Sequence, residues 1–173
     1  MRKLIEVLRI GNRIARDKRI STHVALTARA FSADKIYYSG QKDSEMENSV
    51  NKITEKFGGK FEVKYISNYT KLINEKKENK YLIVHLTMYG IPFEKKIKNL
   101  KNKNLLIIIG GEKVPGEIYK LSDYNLSVSL QPISEVSGLG ILLYNLNGEA
   151  KFSDSKAYIE PSERGKVLKT RKE

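Results

Sequence analysis

At 173 residues the chain suits a single domain whose core is large enough to fold without disulfides or metal staples. It holds no cysteine, which excludes thiolate catalysis, dithiol redox chemistry and cysteine-based metal sites, and no apolar run approaches the roughly 20 residues of a membrane span. Its 32 lysines and arginines against 20 acidic residues, a net charge of +12, favour polyanionic partners, because cations that neutralise phosphates release condensed counterions.

The amino-terminal segment carries charge within its apolar part and lacks a small-residue cleavage site, so it does not read as a signal peptide, and a cytoplasmic protein is expected. Lys3–Ile10 alternates weakly and stops at Gly11, which predicts a first strand. Asn12–Arg19 (NRIARDKR) packs four basic residues around Asp17 and reads as a basic loop; Thr22 then offers an N-cap for a helix over His23–Phe31. Lys35–Tyr38 suits a short strand. In SEMENSVNKITEKF (44–57), Met46, Val50, Ile53 and Phe57 recur at helical spacing before Gly58-Gly59, which predicts an amphipathic helix packed on the core.

Phe61–Ile66 reads as a strand, Tyr69–Lys77 as a helix, Tyr81–Leu86 as an apolar strand and, past Gly90 and Pro92, Phe93–Leu100 as a helix. Lysines in the stretches 75–80 and 94–103 suit solvated helix faces. Leu105–Ile109 is five apolar residues in a row, too short for a lone helix and stopped by Gly110-Gly111, as expected of a strand buried on both faces. A short helix (116–121), a strand (124–128), the turn Ser129-Leu130-Gln131-Pro132 and an apolar helix (134–146) follow. Beyond Asn147 the chain is polar, with a short strand at 157–159 and a basic tail over 161–173 that is expected to lack order without a partner.

Alternation of strand and helix predicts an α/β fold: a mostly parallel sheet with helices on both faces, and ligands held by loops at the carboxyl ends of its strands. The first strand is followed by no GxGxxG turn, and GGEKVP (110–115) lacks the second glycine and Lys-Ser/Thr pair of a phosphate-binding Walker loop. In isolation, Gly110-Gly111 suits a tight turn as well as a binding loop.

The runs GGEKVP, DYN (123–125) and QPISEV (131–136), with RIARDKRISTHVALTARAF (13–31) and HLTMYGIP (85–92), resemble the motifs of the SPOUT methyltransferases. The specific match is the archaeal family that methylates the ribose of cytidine 56 in tRNA. The resemblance covers about Val7 to Lys166. It implies a carboxy-terminal deep trefoil knot, a homodimer, and S-adenosylmethionine held by Leu86, by Gly110, Gly111, Glu112, Lys113 and Val114, and by Val128, Ser129, Leu130, Gln131, Pro132, Ile133, Ser134 and Glu135. Ser129-Leu130-Gln131-Pro132-Ile133 departs from the family's Gly-Asn-Gln-Pro-His.

Methyl transfer to a ribose 2'-hydroxyl requires that its proton be removed or the developing alkoxide be stabilised. The resemblance places an arginine of the opening motif in that role, but Leu26 occupies its position. The role therefore falls among Arg13, Arg16, Arg19, His23 and Arg29. Arg19 is favoured as the catalytic cation, and His23 is the alternative base because an imidazole is largely neutral near pH 7. A salt bridge to Asp17 is the ordinary reading of each arginine.

Arg13, Arg16, Lys18 and Arg29 are candidates for RNA phosphates, as is the tail. Tyr37, Tyr38 and Tyr89 are candidates for stacking on an exposed base, against the ordinary reading of a tyrosine as core. His85 reads as a buried, hydrogen-bonded residue, and no metal site is expected. An enzyme acting on another RNA position or on a base, and a non-catalytic RNA-binding module, remain as alternatives.

Overall fold

The computed structural model describes residues 2–111 and 113–171. Six parallel strands form one sheet in the order β3-β2-β1-β5-β4-β6: β1 (Ile5–Asn12), β2 (Lys35–Gly40), β3 (Glu62–Tyr65), β4 (Leu82–Pro92), β5 (Leu105–Gly110) and β6 (Tyr124–Ser127). The all-apolar run predicted at 105–109 is central. Leu105 to Ile109 are each at most 1% exposed, because β5 lies between β1 and β4 and both of its faces are covered.

One face of the sheet packs on α1 (Ile14–Ala30), α2 (Ser44–Phe57) and α6 (Glu135–Asn147) through Val24, Ala28, Met46, Val50, Leu139 and Leu143. The other packs on α3 (Tyr69–Glu78) and α5 (Glu117–Leu121) through Leu72, Ile73 and Ile118. Local chemistry sets several boundaries. Asp43 Oδ1 accepts the Met46 N–H (3.0 Å) at the start of α2, Asn68 Oδ1 accepts the Lys71 N–H (2.9 Å) at the start of α3, and Gly58 (φ +84°) closes α2. Helices α1 and α6 touch closely: Phe31 meets Tyr144 edge to face at 5.8 Å, and a Cβ on Gly140 would lie 3.3 Å from Thr27 Cγ2.

Three expectations are corrected. The basic stretch 12–19 is not a loop: α1 begins at Ile14, and Thr22, the expected cap, lies in its middle with its hydroxyl on the Lys18 carbonyl. The helix expected over Phe93–Leu100 is a 3-10 turn (Phe93–Lys95) followed by the four-residue α4 (Ile97–Leu100). The segment after 160 does not run free either, for β8 (Val167–Thr170) pairs antiparallel with β7 (Ala157–Glu160) and Arg171 donates to the Ser153 carbonyl at 2.8 Å.

Strand β4 carries the irregularity that shapes one wall of the site. Leu86 and Ile91 both pair with Leu126, so residues 87–90 arch away from the sheet and return to the same partner. Gly90 fits this arch because any Cβ would lie 2.6 Å from the Asn125 and Leu126 backbone.

Candidate functional site

At the carboxyl ends of β1, β5, β4 and β6 a cleft of about 710 Å³ opens between the arch 87–90, the Gly110-Gly111 turn and the segment 128–135. Its volume lies within the roughly 300–1,000 Å³ of small-molecule sites. Leu86, Val114, Val128 and Ile133 supply apolar lining, and the glycines keep the turn open. A Cβ on Gly110 would lie 2.3 Å from Val114 Cγ2, and one on Gly111 would lie 3.0 Å from Arg16 Nη2.

An ionic network fastens this cleft to α1. Arg9, a residue the sequence reading passed over, is 1% exposed at the end of β1; its Nη2 lies 2.7 Å from Glu135 Oε1 and 3.6 Å from Asp17 Oδ2. Asp17 Oδ1 accepts from Arg16 Nε at 2.7 Å, and Asp17 Oδ2 accepts the Arg13 backbone N–H at 2.9 Å. The Arg16 hydrogen bond, with Arg13 N–H and the charges of both arginines, holds the Asp17 carboxyl below its ordinary value against the opposing effect of burial. Arg9 also donates to Asn12 Oδ1 (3.4 Å), which accepts the Ser21 hydroxyl at 2.5 Å. A buried arginine among apolar neighbours in a strand was the one signal that could have revealed this network, because such a charge requires partners.

On the opposite wall, His85 is 1% exposed and its Nδ1 lies 2.9 Å from Asn125 Oδ1. The carboxamide nitrogen of Asn125 donates to the Tyr119 carbonyl, so Oδ1 is its free acceptor and the imidazole carries its proton on Nδ1. Burial lowers the His85 pKa and keeps the ring neutral.

Of the expected cofactor residues, Leu86, Gly110, Gly111, Val114, Val128, Ser129, Pro132, Ile133, Ser134 and Glu135 line the cleft. Lys113, Leu130 and Gln131 are exposed and lie outside its lining, and Glu112 lies outside the described residues. Among the basic candidates, Arg16 lines the cleft, as does Ile20, whereas Arg19 and His23 are exposed on α1 and are not part of its lining. At about 1.5 Å of rise per residue, His23 stands roughly 10 Å along the helix from Arg16. Arg13 is exposed at the start of α1, and Lys18 pairs with Glu45 at 2.9 Å. Arg29 is withdrawn from RNA altogether: it is buried, donates to the Gly58 carbonyl and lies over the Phe152 ring at 4.6 Å. Among the described residues no group of three or more metal-ligating side chains gathers, and no helix is long and apolar enough to cross a membrane.

This sheet order and cleft define a class, the α/β fold of the SpoU methyltransferases. The fold superposes on an A. aeolicus TrmH/SpoU tRNA modifying enzyme with a TM-score of 0.63 at 16% identity, covering 84% of this chain and 74% of that one. It also superposes on the SpoU methyltransferase AviRb from Streptomyces viridochromogenes, solved in complex with AdoMet, with a TM-score of 0.62 at 12% identity over 84% and 58% of the two chains.

Residues 57–169 match the family described as tRNA ribose 2'-O-methyltransferase, aTrm56. The tRNA (cytidine(56)-2'-O)-methyltransferase of Thermococcus kodakarensis is 46% identical over 177 residues, which cover 97% of this chain and 98% of that one. Its counterpart in Methanocaldococcus jannaschii is 47% identical, over 95% and 96%. The chain belongs to the archaeal tRNA ribose 2'-O-methyltransferase family.

Proposed function

We propose that this protein transfers a methyl group from S-adenosylmethionine to the ribose 2'-oxygen of cytidine 56 in tRNA, in the cytoplasm, as a homodimer and without a metal. The observation that carries this reading is the Arg16 guanidinium against Gly111: a cation held at the very turn where a nucleoside cofactor fits. The cleft suits that cofactor in size, in its apolar lining and in the openness of its glycine turn. When bound, the sulfonium supplies an activated methyl group. Leu86, Val114, Val128 and Ile133 would cover the adenosyl group, and backbone groups of Gly110, Gly111 and Val114 and of 128–134 would read its polar edge.

Arg16 takes the role that sequence assigned to Arg19. Aimed by Asp17, it stabilises negative charge on the 2'-oxygen as that oxygen takes the methyl group, S-adenosylhomocysteine leaves and the hydroxyl proton passes to water. Asp17 is a weak base, because its carboxyl is held below the ordinary range, and so it positions rather than accepts.

Incubation of the protein with unmodified tRNA and S-adenosylmethionine, followed by mass spectrometry of nuclease fragments, is expected to place one 2'-O-methyl on cytidine 56. Arg16→Ala should lower turnover by about 100-fold or more with cofactor affinity within a few-fold. A methyl group on a base or at another position overturns the assignment, and an active Arg16→Ala removes that residue from the mechanism.

A further inference from the structure

We propose that Tyr89 is the platform on which the base of the target nucleotide stacks, an inference that rests on the 2'-O-methylation reading and extends it to how the substrate is held. Of the three tyrosines considered for stacking, Tyr37 and Tyr38 are buried, at 6% and 1% exposure. Tyr89 is 76% exposed, the highest value among the exposed large apolar side chains of the described residues, and it lines the cleft. An aromatic ring left so open on a small protein costs hydrophobic free energy that a partner would recover.

The ring stands on a fixed support. Residues 86 and 91, on either side of the arch, pair with the same residue, Leu126. Gly90 lies against the Asn125–Leu126 backbone with no room for a Cβ. The Tyr89 N–H donates to Thr87 Oγ1 (3.3 Å), which is itself 3.1 Å from the Tyr119 hydroxyl. A ring on a rigid loop loses little conformational freedom when it binds, which favours a docking role.

The location suits the chemistry. The base hangs from C1', next to the carbon bearing the reacting hydroxyl, so any group that grips the base must stand at the rim of the cleft rather than in its floor. A base in a folded tRNA must also leave its stack before its ribose can enter an enclosed site, and an aromatic face at the rim replaces the contact it gives up. Stacking is tolerant of base identity, so this contact supplies grip and not selectivity for cytosine.

The test measures binding of the full-length protein to an unmodified tRNA transcript in saturating S-adenosylhomocysteine, and to the same transcript carrying an abasic ribose at position 56. Tyr89→Ala should weaken binding of the intact transcript by about 10- to 100-fold. Tyr89→Phe and Tyr89→Trp should stay within about 3-fold of the wild type, because either keeps the aromatic face. Removing the base should weaken the wild type by a similar factor and leave Tyr89→Ala unaffected. Equal losses for Tyr89→Ala on both transcripts overturn the proposal, as does a change of its oligomeric mass by light scattering. Because binding rather than turnover is read, a wild type that methylates nothing defeats the catalytic reading alone.

Discussion

Asp17 is the residue on which the cleft wall turns. Its two oxygens take the Arg16 guanidinium, the Arg13 N–H and the more distant Arg9, so one carboxylate sets the start of α1 and the aim of Arg16 together. A carboxyl whose folded pKa lies below its unfolded value of about 3.9 stabilises the fold at neutral pH, and that contribution is lost as pH falls through the folded value. Asp17→Asn should therefore destabilise the protein by about 1.5–3 kcal/mol at pH 7 in urea unfolding, and by progressively less below about pH 4. A loss that is the same at pH 7 and pH 3 would show that the carboxylate's charge contributes nothing. His85 sets a second, separate window: its lowered pKa means that the unfolded chain takes up a proton first, so stability also falls as pH drops below about 6.5.

At the scale of elements, α1 and α6 carry part of the protein's exposed apolar surface. Ile14 and Ile20 on α1 and Ile141 and Tyr144 on α6 are 38–61% exposed although α1 and α6 pack together, and Ile20 also lines the cleft. Apolar side chains left open in this way suit the homodimer proposed above, with a second copy of the chain as the occupant. Ile141→Lys should turn the proposed homodimer into a monomer by light scattering and leave the far-ultraviolet circular dichroism unchanged; a wild type that is itself monomeric removes the proposal. Element by element, legibility followed how local the cause is. Helix α2 was predicted residue for residue because its apolar stripe lies within the segment and its closing glycines follow it directly. The start of α1 was not, because the groups that take its first N–H donors are the Gln41 side chain, from another loop, and an Asp17 that looks from sequence like one acid in a basic run. Arg29 misled for a related reason: its partners Gly58 and Phe152 come from segments far along the chain.

For the whole molecule, the net charge of +12 makes association with RNA strongly dependent on salt. Each cation that neutralises a phosphate contributes about 0.7–0.9 to the slope of log affinity against log salt. Arg13→Ala, which removes an exposed cation at the head of α1, should lower that slope by about 1 and leave cofactor affinity unchanged. An unaltered slope would place the phosphates elsewhere. The order of strands was legible only as a class, since alternating segments imply a parallel sheet without saying which strands adjoin. The cleft followed from the motifs; its ionic floor did not, because Arg9 belongs to none of them. That order also bears on synthesis at the ribosome. Leu4 donates its N–H to Asn104, 100 residues later, and the strand beginning at Ile5 has β5 as one of its two neighbours. Until that distant partner emerges from the exit tunnel, the nascent chain carries an uncapped row of amides and carbonyls along the middle of its future sheet, a window in which other chains or chaperones compete for the vacancy.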